Sequence, residues 1–222
     1  MLLGVGLLAG QVSAEEKKPF QTQIEKQSYS MGADIGSRIK MQGIEVDADA
    51  FTKGMKDALA GGNLLMTDDE IRESLMALQK NLMEKQEERT KAAAEKNKQE
   101  GEAFLAENKK KEGVVTLPSG LQYKVIKEGE GKTPGPSDTV VVNYRGTLID
   151  GTEFDSSFKR GEPATFPLNH VIPGWTEAMQ LMKEGGKMEI FVPADLAYGE
   201  QTTGLIGPNS TLIFEIELIS VK

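Results

Sequence analysis

The sequence of 222 residues predicts an α+β protein whose helix-forming and strand-forming segments are separated along the chain. Apolar residues recur at helical spacing before about residue 83, whereas β-branched runs broken by glycine and proline follow Gly113. Between them lies a polar stretch rich in Glu, Lys, Gln and Ala. We therefore expect an all-α N-terminal module, a long linker helix, and a C-terminal antiparallel sheet wrapped around one short helix.

Residues 1–14 are apolar, end in the small-x-small pattern Val12-Ser13-Ala14, and precede a polar run. This arrangement is typical of a secretory signal peptide, although the basic beginning of such a peptide is missing, so we expect the true start to lie in a longer leader. An apolar N-terminus that is not cleaved is the alternative. The stretch is too short for a transmembrane helix, which needs about 20 apolar residues, and we expect no transmembrane segment.

Residues 15–66 are assigned to a helical dimerisation module. Its first helix spans residues 22–42 and has one apolar face, formed by Ile24, Met31, Ile35 and Ile39. Its second helix begins at Asp47 or Asp49, ends at Gly61, and places at four-residue spacing Phe51, Met55 and Leu59. A core this small is hard to complete within one chain. We therefore expect a homodimer that forms through these N-terminal helices.

Residues 67–112 are assigned to a long linker helix. A capping-box sequence runs from Thr67 to Glu70 and opens an apolar stripe that stops after Met83. Helix-forming residues continue to Lys111 without proline, with Gly101 as a mild weak point. A polar helix of this kind usually bridges domains through solvent. A disordered charged linker is the alternative interpretation.

Residues 113–222 form the predicted sheet domain. Four strands are expected, at residues 121–127, 140–148, 188–192 and 212–221. Asp150-Gly151 is a hairpin turn signal after the second strand. One short helix begins at Pro173, which is preset for a first helical turn, and Gly185-Gly186 is expected to end it.

Composition narrows the possible chemistry. The formal net charge of −8 argues against a nucleic-acid partner, which would favour a clustered basic surface. The absence of cysteine excludes disulfides and zinc-thiolate sites. The one histidine, His170, is expected to be a solvated loop residue, and no G-x-S-x-G elbow accompanies it. We expect neither a cofactor nor a metal.

Six motifs carry a family resemblance over residues 116–222. They are residues 119–123, SGLQY; residues 141–146, VVNYRG; residues 150–157, DGTEFDSS; residues 171–175, VIPGW; residues 197–199, AYG; and residues 206–214, IGPNSTLIF. In this order they resemble the FK506-binding-protein (FKBP) family of peptidyl-prolyl cis-trans isomerases. With the helical N-terminal module, the whole chain is similar to its Mip-like (macrophage infectivity potentiator-like) subgroup, which implies a V-shaped dimer.

The resemblance also implies the residues of an apolar pocket. The catalytic set is Tyr144, Phe154, Asp155, Trp175, Tyr198 and Phe214. The substrate-binding set is Arg160, Phe166, Val171, Ile172 and Ile206. In the family, the tryptophan forms the pocket floor, the backbone N–H of Ile172 donates to a substrate carbonyl, and the tyrosine hydroxyl of Tyr198 adds a second polar contact. The chain departs from the family at Ala164, where many relatives have phenylalanine, and at Thr202 or Thr203, where a histidine is common.

This pocket suits rotation of an X-Pro bond without a nucleophile. Rotation passes through a twisted amide, with a barrier of about 18–20 kcal/mol for an ordinary amide. The twisted amide is less polarised than the planar one, so an apolar wall that excludes water stabilises it preferentially, and only such differential binding accelerates the step. Asp155 either stabilises the distorted amide electrostatically or holds Tyr144 and Arg160 in place.

The sequence therefore predicts a peptidyl-prolyl cis-trans isomerase that acts on proline-containing unfolded or nascent proteins, with dimeric, chaperone-like client binding. The resemblance also implies binding of macrolides of the FK506 type. The alternative is a non-catalytic dimeric chaperone or binding module that uses the same pocket for client capture. The apolar leader favours the periplasm or the outer-membrane-associated surface of a Gram-negative bacterium, and the cytoplasm is the alternative.

Overall fold

The computed structural model describes residues 20–222, so the predicted signal peptide at residues 1–14 lies outside the described part. The chain divides into two compact units, one ending at Leu82 and the other beginning at Met83. The helices are α1 Gln23–Met41, α2 Ala48–Ala60, α3 Asp68–Asn108, α4 Ser157–Arg160 and α5 Pro173–Met179. The strands are β1 Val114–Thr116, β2 Gln122–Lys127, β3 Thr139–Leu148, β4 Glu153–Ser156, β5 Ala164–Pro167, β6 Lys187–Val192 and β7 Leu212–Val221.

The first two helices begin and end at capping residues. Thr22 accepts a hydrogen bond from the N–H of Glu25, whose carboxylate in turn accepts from the N–H of Thr22, completing a capping box. Asp47, one of the two expected caps, accepts from the N–H of Ala50. α2 ends at Gly61, which has the left-handed conformation that suits glycine.

The apolar faces of α1 and α2 remain largely uncovered by the other residues that the structure describes. Neither helix contains a buried residue, although both are described in full. Ile24 is 74% exposed and Leu59 is 83% exposed. A Cβ added at Gly32 or Gly36 would meet no atom within 4 Å. These faces therefore have apolar surface available for a partner.

The third helix is continuous over 41 residues, so the helical interpretation of the polar stretch is correct and the disordered alternative is not. Its capping box is present, since the N–H of Thr67 donates to Glu70 over 2.8 Å and the N–H of Glu70 donates to the Thr67 hydroxyl over 3.3 Å. Gly101 does not interrupt it. Within residues 20–222, no helix is long and apolar enough to cross a membrane.

The second unit is an antiparallel sheet, which confirms the predicted α+β class. Its strand order is β1-β2-β6-β7-β3-β4, and β5 pairs with β3 beside β4. The four predicted strands are present with bounds shifted by one residue at most. The three short strands β1, β4 and β5 were not predicted, because three or four residues are too few to show an alternating pattern.

Helix α5 packs against the inner face of the sheet. Trp175, Ala178 and Met179 are buried there, along with apolar residues of β3, β6 and β7. The expectation that this helix runs to Gly185 was wrong, because α5 ends at Met179. The chain tightens there into i→i+3 turns, in which the N–H of Met182 donates to the carbonyl of Met179 over 3.1 Å.

Candidate active site

The sheet and α5 enclose one side of a cavity of about 640 Å³. Its walls come from β3, β4, β5, the start of α5, the loop between β6 and β7, and β7 itself. The lining residues are Tyr144, Phe154, Asp155, Phe166, His170, Val171, Ile172, Trp175, Tyr198, Thr203, Gly204, Leu205, Ile206 and Phe214. A volume of this size falls in the range of small-ligand sites.

Trp175 lies at the centre of an aromatic cluster. Its ring meets those of Tyr144 and Phe214 edge-on at centroid distances of 5.3 Å, and that of Phe166 at 5.7 Å. Such perpendicular contacts are favourable because a positive ring edge faces a negative ring face. The neighbouring rings therefore fix the plane of the indole, and Trp175 is 4% exposed.

The register of the sheet explains how two of these rings reach the pocket. Gly146 of β3 pairs with Phe214 of β7 and with Asp155 of β4. A Cβ added at Gly146 would lie 2.6 Å from the Phe154 ring and 2.9 Å from the Phe214 ring. The absence of a side chain at this position thus makes room for both phenylalanines, whose rings contact each other edge-on at 5.6 Å.

Three polar side chains form a hydrogen-bonded group at the pocket wall. The Tyr144 hydroxyl donates to one carboxylate oxygen of Asp155, and Arg160 donates to the other. Arg160 also donates to the Tyr144 hydroxyl over 3.0 Å. Arg160 additionally stacks over the Tyr144 ring, 5.5 Å from its centroid. Both oxygens of Asp155 are therefore engaged by the pocket itself.

These contacts shift two pKa values in opposite directions. Burial alone would raise the pKa of Asp155, but the hydrogen bonds from Tyr144 and Arg160 outweigh it and lower that pKa below its ordinary value. Burial, followed by the hydrogen bond to the Asp155 carboxylate, raises the pKa of Tyr144. The pair therefore holds a carboxylate beside a protonated phenol.

Three donors in the pocket have no acceptor among residues 20–222. They are the N–H of Ile172, which immediately precedes α5, the hydroxyl of Tyr198, and the buried indole N–H of Trp175. The indole ring that carries this N–H packs edge-on against the rings of Tyr144, Phe166 and Phe214. The other two are free to donate to a ligand carbonyl. Within the described part of the chain, no three His, Asp or Glu side chains are grouped as metal ligands.

The structure brings together ten of the eleven pocket residues expected from the sequence. Arg160 does not line the cavity and instead contacts it through Asp155 and Tyr144. Ala164 packs against the core and does not line the cavity, whereas Phe166 of the same strand does.

Four lining residues were absent from the expected set, namely His170, Thr203, Gly204 and Leu205. His170 was expected to be a solvated residue beside the pocket edge, and it is exposed and forms part of that edge. Thr203 was noted in the sequence only as a possible departure from the family, and Gly204 and Leu205 lie on the same loop without a motif of their own.

Two family models match the chain in succession. Residues 24–125 match the domain amino terminal to FKBP-type peptidyl-prolyl isomerase. Residues 130–219 match the FKBP-type peptidyl-prolyl cis-trans isomerase domain.

The relatives match this chain over most of their own length. The outer membrane protein MIP of Legionella longbeachae is 53% identical over 95% of this chain and 91% of its own. The FKBP-type peptidyl-prolyl cis-trans isomerase FkpA of Escherichia coli K12 is 41% identical over 95% of this chain and 80% of its own. The crystal structure of Escherichia coli FkpA superposes with a TM-score of 0.74 at 40% identity, covering 91% of this chain and 98% of that one.

Proposed function

The chain belongs to the family of FKBP-type peptidyl-prolyl cis-trans isomerases and is such an enzyme, and from that premise we propose how its pocket works and which clients it serves. The observation that carries the proposal is the apolar cavity floored by Trp175, with two unengaged donors at Ile172 and Tyr198. An X-Pro segment enters with the proline ring on the indole. The backbone N–H of Ile172 and the Tyr198 hydroxyl hold the flanking carbonyls.

Catalysis follows from the difference between the two amide states. The planar amide is polarised by resonance and prefers water, whereas the twisted amide has lost that resonance. The aromatic walls exclude water, so they destabilise the planar state relative to the twisted one. Binding that favours the transition state over the ground state accelerates the reaction. No covalent intermediate is required.

Asp155 holds the wall of the pocket in this proposal. Its two oxygens are occupied by Tyr144 and Arg160, which supports a positioning role over direct contact with the twisted amide. The Tyr144 ring in turn packs edge-on against Trp175. Removing Asp155 would free both partners and loosen the ring that borders the floor.

An exchange assay on short X-Pro peptides tests the substrate contacts. Tyr198→Phe removes the proposed donor and should lower kcat/KM roughly three- to ten-fold. It should not change stability, because the hydroxyl has no partner among residues 20–222. Tyr123→Phe is the matched control, because Tyr123 packs outside the cavity lining. Equal activity of both variants would refute the role of Tyr198, and no acceleration by the wild type would refute the pocket as a whole.

Client binding by a dimer is the second part of the proposal. The support is the uncovered apolar surface of α1 and α2, which a second copy would remove from water. Two linked pockets then engage one unfolded, proline-containing client and raise its effective concentration, provided that it spans both.

A holding function that does not depend on catalysis can be separated with Asp155→Ala. The variant should lose most of its isomerase activity, with kcat/KM lowered roughly ten-fold, yet still suppress aggregation of an unfolded client if holding does not depend on catalysis. We expect both functions, so the variant should suppress aggregation as well as the wild type does but accelerate proline-limited refolding much less. Loss of aggregation suppression in parallel with catalysis would contradict a separate holding function.

The same pocket is proposed to take macrolides of the FK506 type. Their large apolar surface suits the aromatic walls, and their carbonyl oxygens suit the N–H of Ile172 and the Tyr198 hydroxyl. Fluorescence of Trp175, the one tryptophan of the chain, reports binding directly. Saturable quenching by FK506 that competes with peptide turnover supports this ligand class, and turnover unaffected by FK506 refutes it.

We also propose an envelope location in a Gram-negative bacterium. One relative is named an outer membrane protein, from Legionella longbeachae, and the leader-like residues 1–14 agree with export. Cell fractionation with N-terminal sequencing tests this proposal. Mature protein that begins near Glu15 in the periplasmic or outer-membrane fraction supports it, whereas an intact leader in the cytosolic fraction refutes it.

A further inference from the structure

The loop between β6 and β7 forms one wall of the pocket, and among its residues only the short 3-10 helix Ala194–Leu196 is regular. Tyr198 and Ile206 line the cavity from this loop. Most of its backbone hydrogen bonds close short turns, as between Thr203 and Ile206, whose N–H and carbonyl groups pair reciprocally at 2.9 Å. The geometry of this wall therefore depends on where the second half of the loop is anchored.

That second half contains a strained turn at residues 207–210. Asn209 has a φ of 55° and is the one residue other than glycine with positive φ in the described part of the chain. Its N–H donates to the carbonyl of Gly199 over 2.7 Å, directly beside Tyr198. A conformation of this kind persists only where its surroundings fix it. The turn thus connects Tyr198 to whatever holds residues 207–210.

Helix α3 provides the contacts that hold the turn. The side-chain amide of Asn97 donates to the carbonyl of Pro208 over 2.8 Å and lies 3.4 Å from the Ser210 hydroxyl, so it contacts the residues on both sides of the strained position. One helical turn later, Gly101 is buried, and a Cβ placed there would collide with the hydroxyl of Thr211. Residues four apart lie on one helix face, so both contacts belong to one docking surface.

We infer that Asn97 and Gly101 of the linker helix are positioning residues for the isomerase pocket. They hold the turn at residues 207–210, which fixes Tyr198 through Gly199 and leads directly into β7 with Phe214. The polar helix thus has a function in substrate binding, in addition to joining the two parts of the chain. This inference rests on the proposed roles of the pocket residues.

Asn97→Ala in the full-length protein is the primary test, with Asn81→Ala as its matched control. Asn81 is exposed on the same helix, and alanine favours the helix over asparagine at both positions. We expect kcat/KM on a short X-Pro peptide to fall roughly three- to ten-fold in Asn97→Ala, because small displacements of binding groups are costly. Asn81→Ala should retain wild-type kcat/KM.

The separation of KM from kcat distinguishes positioning from a loss of folded protein. Tyr198 and Ile206 contact the bound peptide, so a loosened wall raises KM by the same factor and changes kcat by less than about two-fold. A fall in the folded fraction would lower the apparent kcat and leave KM unchanged. Titration of Trp175 fluorescence with the peptide gives the binding constant independently.

A compensating pair tests the contact between Gly101 and Thr211. Gly101→Ala should raise KM, because the new methyl group displaces Thr211 and the turn before it. Combining it with Thr211→Ala removes the colliding hydroxyl and should restore KM. Combining it with Thr211→Val keeps the bulk and should not restore it.

The results that would overturn this inference differ from those that would overturn the proposed function. Equal KM values for Asn97→Ala and Asn81→Ala, with the wild type active, would overturn the positioning inference alone. Equal KM values for both Thr211 combinations would overturn the role of Gly101. An inactive wild type would overturn the proposed function, and with it this inference.

Discussion

Asp155 is the residue at which two roles can be distinguished by experiment. Both of its carboxylate oxygens accept hydrogen bonds from the pocket, one from Tyr144 and one from Arg160. If Asp155 acts by holding Tyr144, removing the Asp155 carboxylate and the Tyr144 hydroxyl together should lower kcat/KM no more than removing either group alone. We therefore predict that Asp155→Ala and Tyr144→Phe each lower kcat/KM roughly ten-fold and that the double variant is no worse than the weaker single one. Losses that multiply would instead indicate that Asp155 acts directly on the substrate.

The pKa values of Asp155 and Tyr144 lead to a prediction for the pH dependence of activity. The pKa of Asp155 is lowered from 3.8, so its carboxylate stays ionised until the pH falls below that value. The pKa of Tyr144 is raised from 10.0, so its phenol keeps its proton until the pH exceeds that value. The ionised Asp155 thus stabilises the folded state above the pKa that this carboxyl has in the unfolded chain, and this stabilisation is lost as the pH falls through its lower pKa in the folded protein. The protonated Tyr144 stabilises the folded state below its pKa in the unfolded chain, and this stabilisation is lost as the pH rises through its raised pKa in the folded protein.

We therefore predict a flat kcat/KM profile between these limits, measured on a short peptide by exchange spectroscopy. His170 lines the same pocket, so the profile is recorded for wild type and for His170→Gln. A step near neutral pH that persists in His170→Gln would contradict the assignment to the Tyr144–Asp155 pair. A step confined to the wild type would assign the effect to His170.

At the scale of elements, helix α3 belongs partly with the sheet. Phe104 packs on Phe191 at a centroid distance of 5.9 Å. Gln122 donates to the carbonyl of Leu105 over 2.9 Å and accepts from the fully buried Asn108 over 3.0 Å. These contacts lie before Gly113, the position at which the composition changes. We propose that the catalytic unit extends back to about residue 95.

This boundary leads to a prediction about stability. A fragment of residues 113–222 exposes Phe191 and leaves Gln122 without its helix partners, whereas a fragment of residues 95–222 retains both contacts. Lost apolar burial and hydrogen bonds together should make the shorter fragment less stable by about 2–4 kcal/mol. Urea unfolding of both fragments measures the difference. Equal midpoints and slopes would show that the end of the helix contributes nothing.

The sequence predicts long elements and motif residues better than contacts between distant segments. Capping residues such as Thr22, Asp47 and Thr67 locate helix starts because they satisfy backbone donors locally. The alternation in β7 likewise locates a strand by its own pattern. In contrast, Gly101 looked like a weak point of the helix, because the close approach of Thr211 depends on a residue 110 positions later.

The pocket residues likewise divide into those that a sequence motif predicts and those that only contacts between distant segments bring to the cavity. Trp175 and Tyr144 stand in recognisable motifs, whereas Gly204 and Leu205 line the cavity from a loop whose ends are joined by the hydrogen bond from Asn209 to Gly199. The turn around Asn209 is anchored by Asn97, which lies more than 100 positions earlier in a stretch interpreted from composition alone. Tertiary contacts of this separation leave no local signal in the sequence.

At the scale of the whole molecule, the two units differ in how much apolar surface they bury. The sheet unit has a continuous buried core that includes Leu121, Ile190 and Leu218. Within residues 20–222, the helices α1 and α2 bury none of their residues. Burial in a partner would contribute roughly 25 cal/mol per Å² of apolar surface. A second copy can supply this cover through the same faces, as a two-fold interface requires.

We therefore predict that the protein without residues 1–14 sediments as a dimer and that the fragment of residues 95–222 sediments as a monomer. On short X-Pro peptides the two should have similar kcat/KM values, because the fragment retains the pocket and the α3 contacts at Asn97 and Gly101. On a large unfolded client limited by proline isomerisation, the fragment should be slower by roughly ten-fold or more, since a single weak site replaces two linked sites.

Phe51→Glu with Met55→Glu separates dimerisation from the mere presence of the N-terminal helices. Both side chains lie on the uncovered face of α2, so charges there disfavour the dimer without disturbing a core within the chain. The variant should sediment as a monomer, keep its activity on short peptides, and accelerate refolding of the large client no faster than the fragment does. A variant that stays dimeric would place the interface elsewhere. A monomeric variant as effective as the wild type on the large client would show that one pocket, and not a linked pair, carries the folding activity.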